Sequence, residues 1–105
     1  MKVKIKSTKI ELTPQIKDYV QLKMSRLQKY LGKVPALNCD VELSRENGMQ
    51  NSGKIYRAEV NLELPGSLLR VEKTEKDMLK AIDKVKDHLA RSIKKYKERK
   101  QTVKK

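Results

Sequence analysis

The sequence predicts an α+β fold in the order β-α-β-β-β-α, in which two helices pack on one face of a four-stranded sheet. Two long stretches carry hydrophobic residues at helical spacing, and four shorter stretches alternate hydrophobic and polar residues as half-buried strands do. Each helix would have a single apolar stripe, so both helices need the same side of the sheet. The 105 residues fit one domain with a modest core.

The first strand and the first helix are predicted near the N-terminus. Val3 and Ile5 alternate with lysines, which predicts a short strand whose outward lysines suit the edge of a sheet. Thr13 can cap a helix and Pro14 can begin it, because proline has no N–H to leave unpaired. The apolar stripe of this helix comprises Ile16, Val20, Met24, Leu27 and Leu31. Gly32 is expected to end the helix.

Three further strands are predicted in the middle of the chain. Residues 37–44 alternate in hydrophobicity, and the polar segment 47–53 is rich in turn residues, which predicts a hairpin loop. The alternation resumes over residues 56–64, and a Pro-Gly pair at 65–66 predicts a tight turn into a fourth strand around 69–71. Short connections of this kind make an antiparallel meander.

The second helix is predicted to follow Thr74–Asp77, which resembles a capping box with Asp in place of the usual Glu. Its apolar stripe comprises Met78, Ile82, Val85, Leu89, Ile93 and Tyr96. Residues 101–105 have no periodicity and are predicted to be a disordered basic tail. The sequence therefore predicts a single domain over residues 1–100.

The charge of the chain is large and unevenly distributed. The formal net charge is +13, of which residues 1–32 contribute +6, residues 33–73 contribute 0 and residues 74–105 contribute +7. A small domain with this charge is expected to bind a polyanion, either nucleic acid or an anionic membrane surface. No apolar run is long enough to span a bilayer and no signal peptide is evident, so we expect a cytoplasmic protein without a membrane partner.

Both helices carry basic residues along one flank of the apolar stripe. On a helical wheel, the last helix has one such stripe, formed by Lys84, His88, Arg91, Lys95 and Arg99. On the first helix, Lys23, Arg26 and Lys29 step by threes. Like charges at this spacing repel one another unless a partner neutralises them, so these residues are candidate contacts for phosphate backbones. If the helices lie side by side, the two flanks could merge into one patch. The alternative is a solvated helix face.

Residue types that carry catalysis are scarce. His88 is the single histidine and has no second histidine or thiol at metal-ligand spacing. Cys39, the single cysteine, falls on the inward face of a strand and cannot form an internal disulfide. The sequence also has no glycine-rich phosphate loop. We therefore expect a binding protein that is not an enzyme and needs no cofactor, metal or small-molecule substrate.

Two helical motifs resemble those of a known family. ELTP before the first helix and DM-x-x-AID at the start of the last, Asp77 to Asp83, are similar to motifs of the ribosome hibernation promoting factors, which include ribosome-associated inhibitor A, or protein Y. The resemblance runs from Val3 to about Lys100. It implies the β-α-β-β-β-α fold, similar to double-stranded RNA-binding domains. It also implies binding to rRNA of the decoding region of the small ribosomal subunit, in competition with mRNA and tRNA, which would inhibit translation during stress or stationary phase.

The resemblance also assigns site residues. The family's rRNA-contacting basic positions match six residues already picked out on the wheels, namely Lys23, Arg26, Lys29, His88, Arg91 and Lys95. Two positions depart from the family pattern. Leu79 stands where tyrosine is common, and His88 stands where lysine is common, which implies a weaker and pH-sensitive contact.

The resemblance is to a short form of the family, without the dimerisation domain of long members. Whether such a chain pairs ribosomes or only silences single ones is left open. Two rival functions remain at this point. A general structured-RNA-binding module would bind free duplex RNA as tightly as ribosomes, and a protein-interaction module would bind its partner with little dependence on salt.

Overall fold

The computed structural model describes residues 1–47 and 53–103. Its strands are β1 (Val3–Thr8), β2 (Asn38–Asn47), β3 (Lys54–Leu64) and β4 (Ser67–Glu75), and its helices are α1 (Pro14–Ser25), α2 (Gln28–Leu31) and α3 (Met78–Val103). The predicted α+β order is confirmed, with α2 as a short continuation of the first helix. Residues 48–52 of the predicted hairpin loop lie outside the described residues.

The four strands form one mixed sheet in the order β1-β2-β3-β4. Strand β1 pairs with β2 in parallel, with Val3 opposite Cys39, and occupies an edge as its lysines predicted. Strands β2, β3 and β4 pair antiparallel, with Val60 of β3 opposite both Val41 and Val71. The predicted meander is therefore confirmed.

One face of the sheet and all the helices enclose the core. Alternate residues of each strand point to the same face. The buried set from the sheet comprises Cys39, Val41, Leu43, Ala58, Val60, Leu62, Leu64, Leu69 and Val71. These side chains form one cluster with the buried stripe of the helices, including Val20, Leu27, Ile82 and Leu89. The helices thus share one face of the sheet, as predicted, and the other face is open to solvent.

The predicted first helix is interrupted once. The N–H of Leu27 donates to the carbonyl of Met24 at 3.0 Å, which is the tighter spacing of a 3₁₀ turn, and the Ser25 hydroxyl donates to the carbonyl of Leu22 at 2.7 Å. This turn separates α1 from α2 and still buries Leu27 completely. Thr13 caps α1 through a 3.2 Å bond from the N–H of Ile16, as expected.

Helix α3 begins differently from the prediction. The Asp77 carboxylate accepts from the N–H of Leu79 at 2.9 Å, and its carbonyl accepts from the N–H of Ala81 at 3.1 Å. Asp77 is therefore the cap itself, and the predicted capping box is wrong because Thr74 is held in β4 opposite Arg57. The helix continues to Val103, so residues 101–103 extend it into the stretch predicted as a tail.

No helix among the described residues is both long enough and apolar enough to cross a membrane.

Two leucines of the first helical segment provide a matched test of this packing. Leu27 is 0% exposed and Leu22 is 47% exposed. Leu27→Ala removes methyl groups from a close-packed core, so we expect it to lower the free energy of unfolding by about 2–5 kcal/mol. Leu22→Ala should change it by less than about 1 kcal/mol. Urea denaturation of both variants measures the difference, and equal losses would contradict the burial of Leu27.

Candidate RNA-binding surface

The basic residues of α3 lie on the flank of the helix that borders strand β4. Lys84 forms an ion pair with Glu75 at the end of β4. One turn further along, His88 lies near Lys73 of β4, whose charge acts on the imidazole. Arg91, Lys95 and Arg99 are exposed along the same flank. We call these residues the α3 strip, which consists of Lys73, Lys84, His88, Arg91, Lys95 and Arg99.

His88 occupies the centre of the α3 strip. Its side chain is half-buried, and its Nδ1 atom is buried without a hydrogen-bond partner. Burial lowers the pKa of His88 below its usual value, and the charges of Lys73, Arg91 and Lys95 lower it further. The imidazole is therefore neutral at pH 7. In the free protein His88 therefore contributes a polar ring to the strip, and the positive charge comes from the lysines and arginines around it.

Lys73 belongs to the strip but was missed by the sequence analysis. A helical wheel shows only residues of the same helix, whereas Lys73 reaches the strip from the sheet. The strand pattern contained the signal, because Leu69 and Val71 point toward the helices and Lys73 is the next residue with that orientation. Its position at the end of β4 leaves the ammonium group beside α3.

The basic residues of the first helical segment lie on the other side of α3. The Tyr19 hydroxyl donates to Asp83 of α3 at 2.6 Å, and the Lys23 ammonium lies 3.2 Å from the same carboxylate. The bond to Asp83 is the largest of the effects that raise the pKa of Lys23. Further along, Lys97 of α3 donates to the carbonyl of Tyr30 at 3.0 Å. We call Lys23, Arg26 and Lys29 the α1 strip.

The two strips therefore do not merge, although α1 and α3 pack side by side. The α3 strip faces β4, and the α1 strip lies beside the opposite flank of α3. The exposed crest of α3 between them carries both signs of charge, from Lys80, Asp87, Lys94 and Glu98. A helix with its side chains is about 10 Å wide, which sets the separation of the strips.

The open face of the sheet has the opposite character. Its strand positions carry six acidic residues, namely Asp40, Glu42, Glu46, Glu59, Glu63 and Glu72, against four basic ones, Lys4, Lys6, Arg57 and Arg70. At its centre Glu59 is 5% exposed and accepts from Arg70 at 2.7 Å and from Arg57 at 3.1 Å. The bond from Arg70 is the main cause of the lowered pKa of Glu59. The positive charge of the protein is thus concentrated on the helical side.

Two cations of the strips are already partly neutralised within the protein. Lys23 is paired with Asp83, and Lys84 is paired with Glu75. Within residues 1–47 and 53–103, no acidic side chain lies within ion-pair distance of Arg26, Arg91 or Lys95. These three residues are therefore candidates for contacts with an external anion.

A comparison with known families matches nearly the whole chain. Residues 3–101 match the family model described as "Sigma 54 modulation protein / S30EA ribosomal protein". The chain belongs to this family. The S30EA match spans both strips and the whole sheet, so the resemblance inferred from the ELTP and DM-x-x-AID motifs is confirmed. Leu79, which the resemblance singled out as a departure from the family pattern, packs against the edge of the core.

Several relatives are similar over most of the chain. A ribosome hibernation promoting factor of Pseudomonas putida is 31% identical over 103 residues, which cover 98% of this chain and 93% of that protein. A ribosome hibernation promotion factor of Deinococcus radiodurans is 33% identical over 90 residues, which cover 86% of this chain and 46% of that protein. The chain thus spans about half the length of several relatives it matches.

Solved structures support the fold. The N-terminal domain of Thermus thermophilus protein Y superposes with a TM-score of 0.70 at 30% identity, covering 89% of this chain and 94% of that one. A ribosomal subunit interface protein of Coxiella burnetii superposes with a TM-score of 0.77 at 19% identity, covering 93% and 99%. The second likeness establishes the shared fold alone.

The family consists of binding proteins without enzymatic activity, which confirms the prediction that the chain is not an enzyme. Cys39 fits this conclusion, because burial raises the pKa of its thiol to about 11 and keeps it protonated at neutral pH.

The burial of Cys39 gives a direct test of the native core. We expect its thiol to react with a disulfide reagent at pH 8 at least about a hundredfold more slowly than a free thiol, because both burial and the raised pKa suppress the thiolate. Adding urea through the unfolding transition should restore the rate. A native rate equal to that of the unfolded chain would place Cys39 outside the core.

Proposed function

We propose that this chain is a ribosome hibernation factor that binds the small ribosomal subunit in the channel for mRNA and tRNA and so inhibits translation. The observation that carries the proposal is the concentration of unpaired basic side chains on the helical side of an S30EA-family fold. Relatives that match this chain are named as ribosome hibernation factors. Such a role implies action in the cytoplasm.

The mechanism follows from the charges of the helical side. Arg26, Arg91 and Arg99 carry planar guanidinium groups suited to two-point contacts with phosphate, whereas Lys29 and Lys95 act as point charges. Neutralising phosphates releases counterions and supplies affinity without reading bases. The bound domain then excludes mRNA and tRNA by occupying their space.

The separation of the two strips indicates the kind of RNA that fits. A single extended strand along one strip would leave the other strip unused. Two backbones about a helix width apart would engage both strips at once, and such pairs of backbones occur where rRNA is folded. The acidic face of the sheet would repel phosphate, so it is expected to point away from the RNA.

The first test of the proposal is co-sedimentation of the protein with small ribosomal subunits, alone or already loaded with mRNA and tRNA. We expect salt-sensitive binding to empty subunits and loss of binding to loaded subunits, because the ligands occupy the same channel. A competition with free RNA duplex is the control for general RNA affinity. Equal binding to loaded and empty subunits, or to free duplex, would contradict the proposed site.

Two double variants, each of which removes two positive charges from one side of the molecule, test which side binds RNA. The variant Arg91→Gln with Lys95→Gln should weaken binding to small subunits and reduce the slope of log affinity against log salt by about two. The matched control is Lys4→Gln with Lys6→Gln, which removes the same charge from the exposed open face of the sheet. The control should leave the slope unchanged within about 0.5.

Filter-binding titrations between about 50 and 300 mM salt would measure both slopes. Equal losses in the two variants would mean that net charge alone drives binding and would contradict the assignment of the helical side. Far-ultraviolet circular dichroism would confirm that both variants remain folded.

A further inference from the structure

A cluster at the centre of the α3 strip combines three cations and a neutral imidazole. Lys73 approaches from β4, and Arg91 and Lys95 lie one and two turns after His88 on α3. All three act on His88 electrostatically. Among the residues that the structure describes, none of these three cations lies within ion-pair distance of a carboxylate. The cluster therefore concentrates positive charge around one half-buried ring.

The acidic groups near this cluster are occupied elsewhere. Glu75, on the same face of β4 as Lys73, is paired with Lys84. Asp87 precedes His88 but projects toward the exposed crest of α3, where it lies 3.4 Å from Lys86. The imidazole thus has cations on both neighbouring elements, and both of these carboxylates lie within ion-pair distance of another lysine. Its Nδ1 atom is buried without a hydrogen-bond partner.

We propose that Lys73, His88, Arg91 and Lys95 form a subsite for one phosphate group of the RNA backbone, and that His88 takes up a proton when a phosphate occupies it. The inference rests on the proposed function in that the phosphate belongs to RNA. A phosphate carries the negative charge that the cluster lacks, and a protonated imidazole can donate to it. His88 then carries a positive charge only when a phosphate is bound, whereas a lysine carries its charge in both states.

The direction in which pH changes the affinity follows from the pKa of His88 in the free and the phosphate-bound protein. In the free protein the pKa of His88 lies below its usual value, so the ring is neutral at pH 7. A bound phosphate raises that pKa, because an opposite charge favours the protonated form. Binding then takes up a proton between the two pKa values, and affinity increases as the pH falls, by at most about tenfold per pH unit.

The composition of the chain makes this effect easy to isolate. His88 is the single histidine among 105 residues, so no second imidazole contributes to a change near neutral pH. The phosphodiester groups of RNA stay ionised over the pH range of the experiment. The variant His88→Gln removes the proton site, and His88→Lys supplies a permanent charge in its place.

The experiment measures the affinity of wild type, His88→Gln and His88→Lys for small ribosomal subunits and for an RNA duplex of about 16 base pairs, the length a duplex-binding domain spans, at fixed salt. We expect wild type to bind several-fold more tightly at pH 6 than at pH 7.5, with a salt slope larger by about one at the lower pH. His88→Gln should bind with weak affinity at every pH, and His88→Lys with high affinity at every pH.

Proton uptake and the source of the phosphate are measured separately. Calorimetry in two buffers of different ionisation enthalpy gives the number of protons taken up on duplex binding, which should be a fraction of one for wild type and near zero for His88→Gln. Nuclear magnetic resonance should show the pKa of His88 rising with duplex but not with sulfate at the same phosphate-equivalent concentration. An equal rise with sulfate would show a site for free anions and would overturn the RNA subsite.

The outcomes separate this inference from the proposed function. If wild type and His88→Gln bind both probes with the same pH dependence, the subsite is wrong even though the protein binds subunits. If the pH effect is present with the duplex but subunits are not bound, the subsite stands and the ribosomal role is wrong. If the protein binds neither the subunits nor the duplex, both the subsite and the ribosomal role are wrong.

Discussion

The chemical difference between the two faces of the sheet is the constraint on which the rest of the structure depends. Alternation in β2, β3 and β4 places aliphatic residues on one face and six acidic residues, partly balanced by arginines and lysines, on the other. The helices must cover the aliphatic face, since no other apolar surface of comparable size is present in the part of the chain that the structure describes. Their outer flanks then form the side of the molecule that carries the positive charge. The burial of the aliphatic face and the basic character of the helical side are therefore consequences of a single pattern.

The unbalanced positive charge of the helical side destabilises the free protein and favours the binding of a polyanion. Arg91 and Lys95 repel each other and lower the pKa of His88, and no carboxylate among the described residues relieves them by an ion pair. Each such repulsion costs a few tenths of a kcal/mol, which the aliphatic core offsets. A polyanion removes the repulsion when it binds, so part of the binding free energy is stored in the free protein. Ion pairs such as that between Lys23 and Asp83 stabilise the fold instead, because they hold α1 against α3.

Local pattern was sufficient to predict most of the fold but only part of the candidate site. Period-2 and helical spacing placed every strand and both long helices, because burial of one face imposes these periods directly. The 3₁₀ turn at Leu27 was not predicted, because Leu27 keeps the spacing of the apolar stripe and is fully buried even though the helix is interrupted there. A helical wheel shows where the basic residues of a helix lie relative to its own apolar stripe. It does not show which neighbouring element these residues face. For that reason the separation of the strips and the contribution of Lys73 became evident only in three dimensions.

The most direct test of the account is a cryo-electron microscopy structure of the protein bound to the small ribosomal subunit. We expect the helical side to face rRNA within the mRNA channel, with Arg91 and Lys95 at phosphates of one backbone and Arg26 and Lys29 at those of another. The open face of the sheet, with Glu42 and Glu59, should point away from RNA. A complex in which the sheet face contacts rRNA, or in which the protein lies outside the channel, would contradict the central claim.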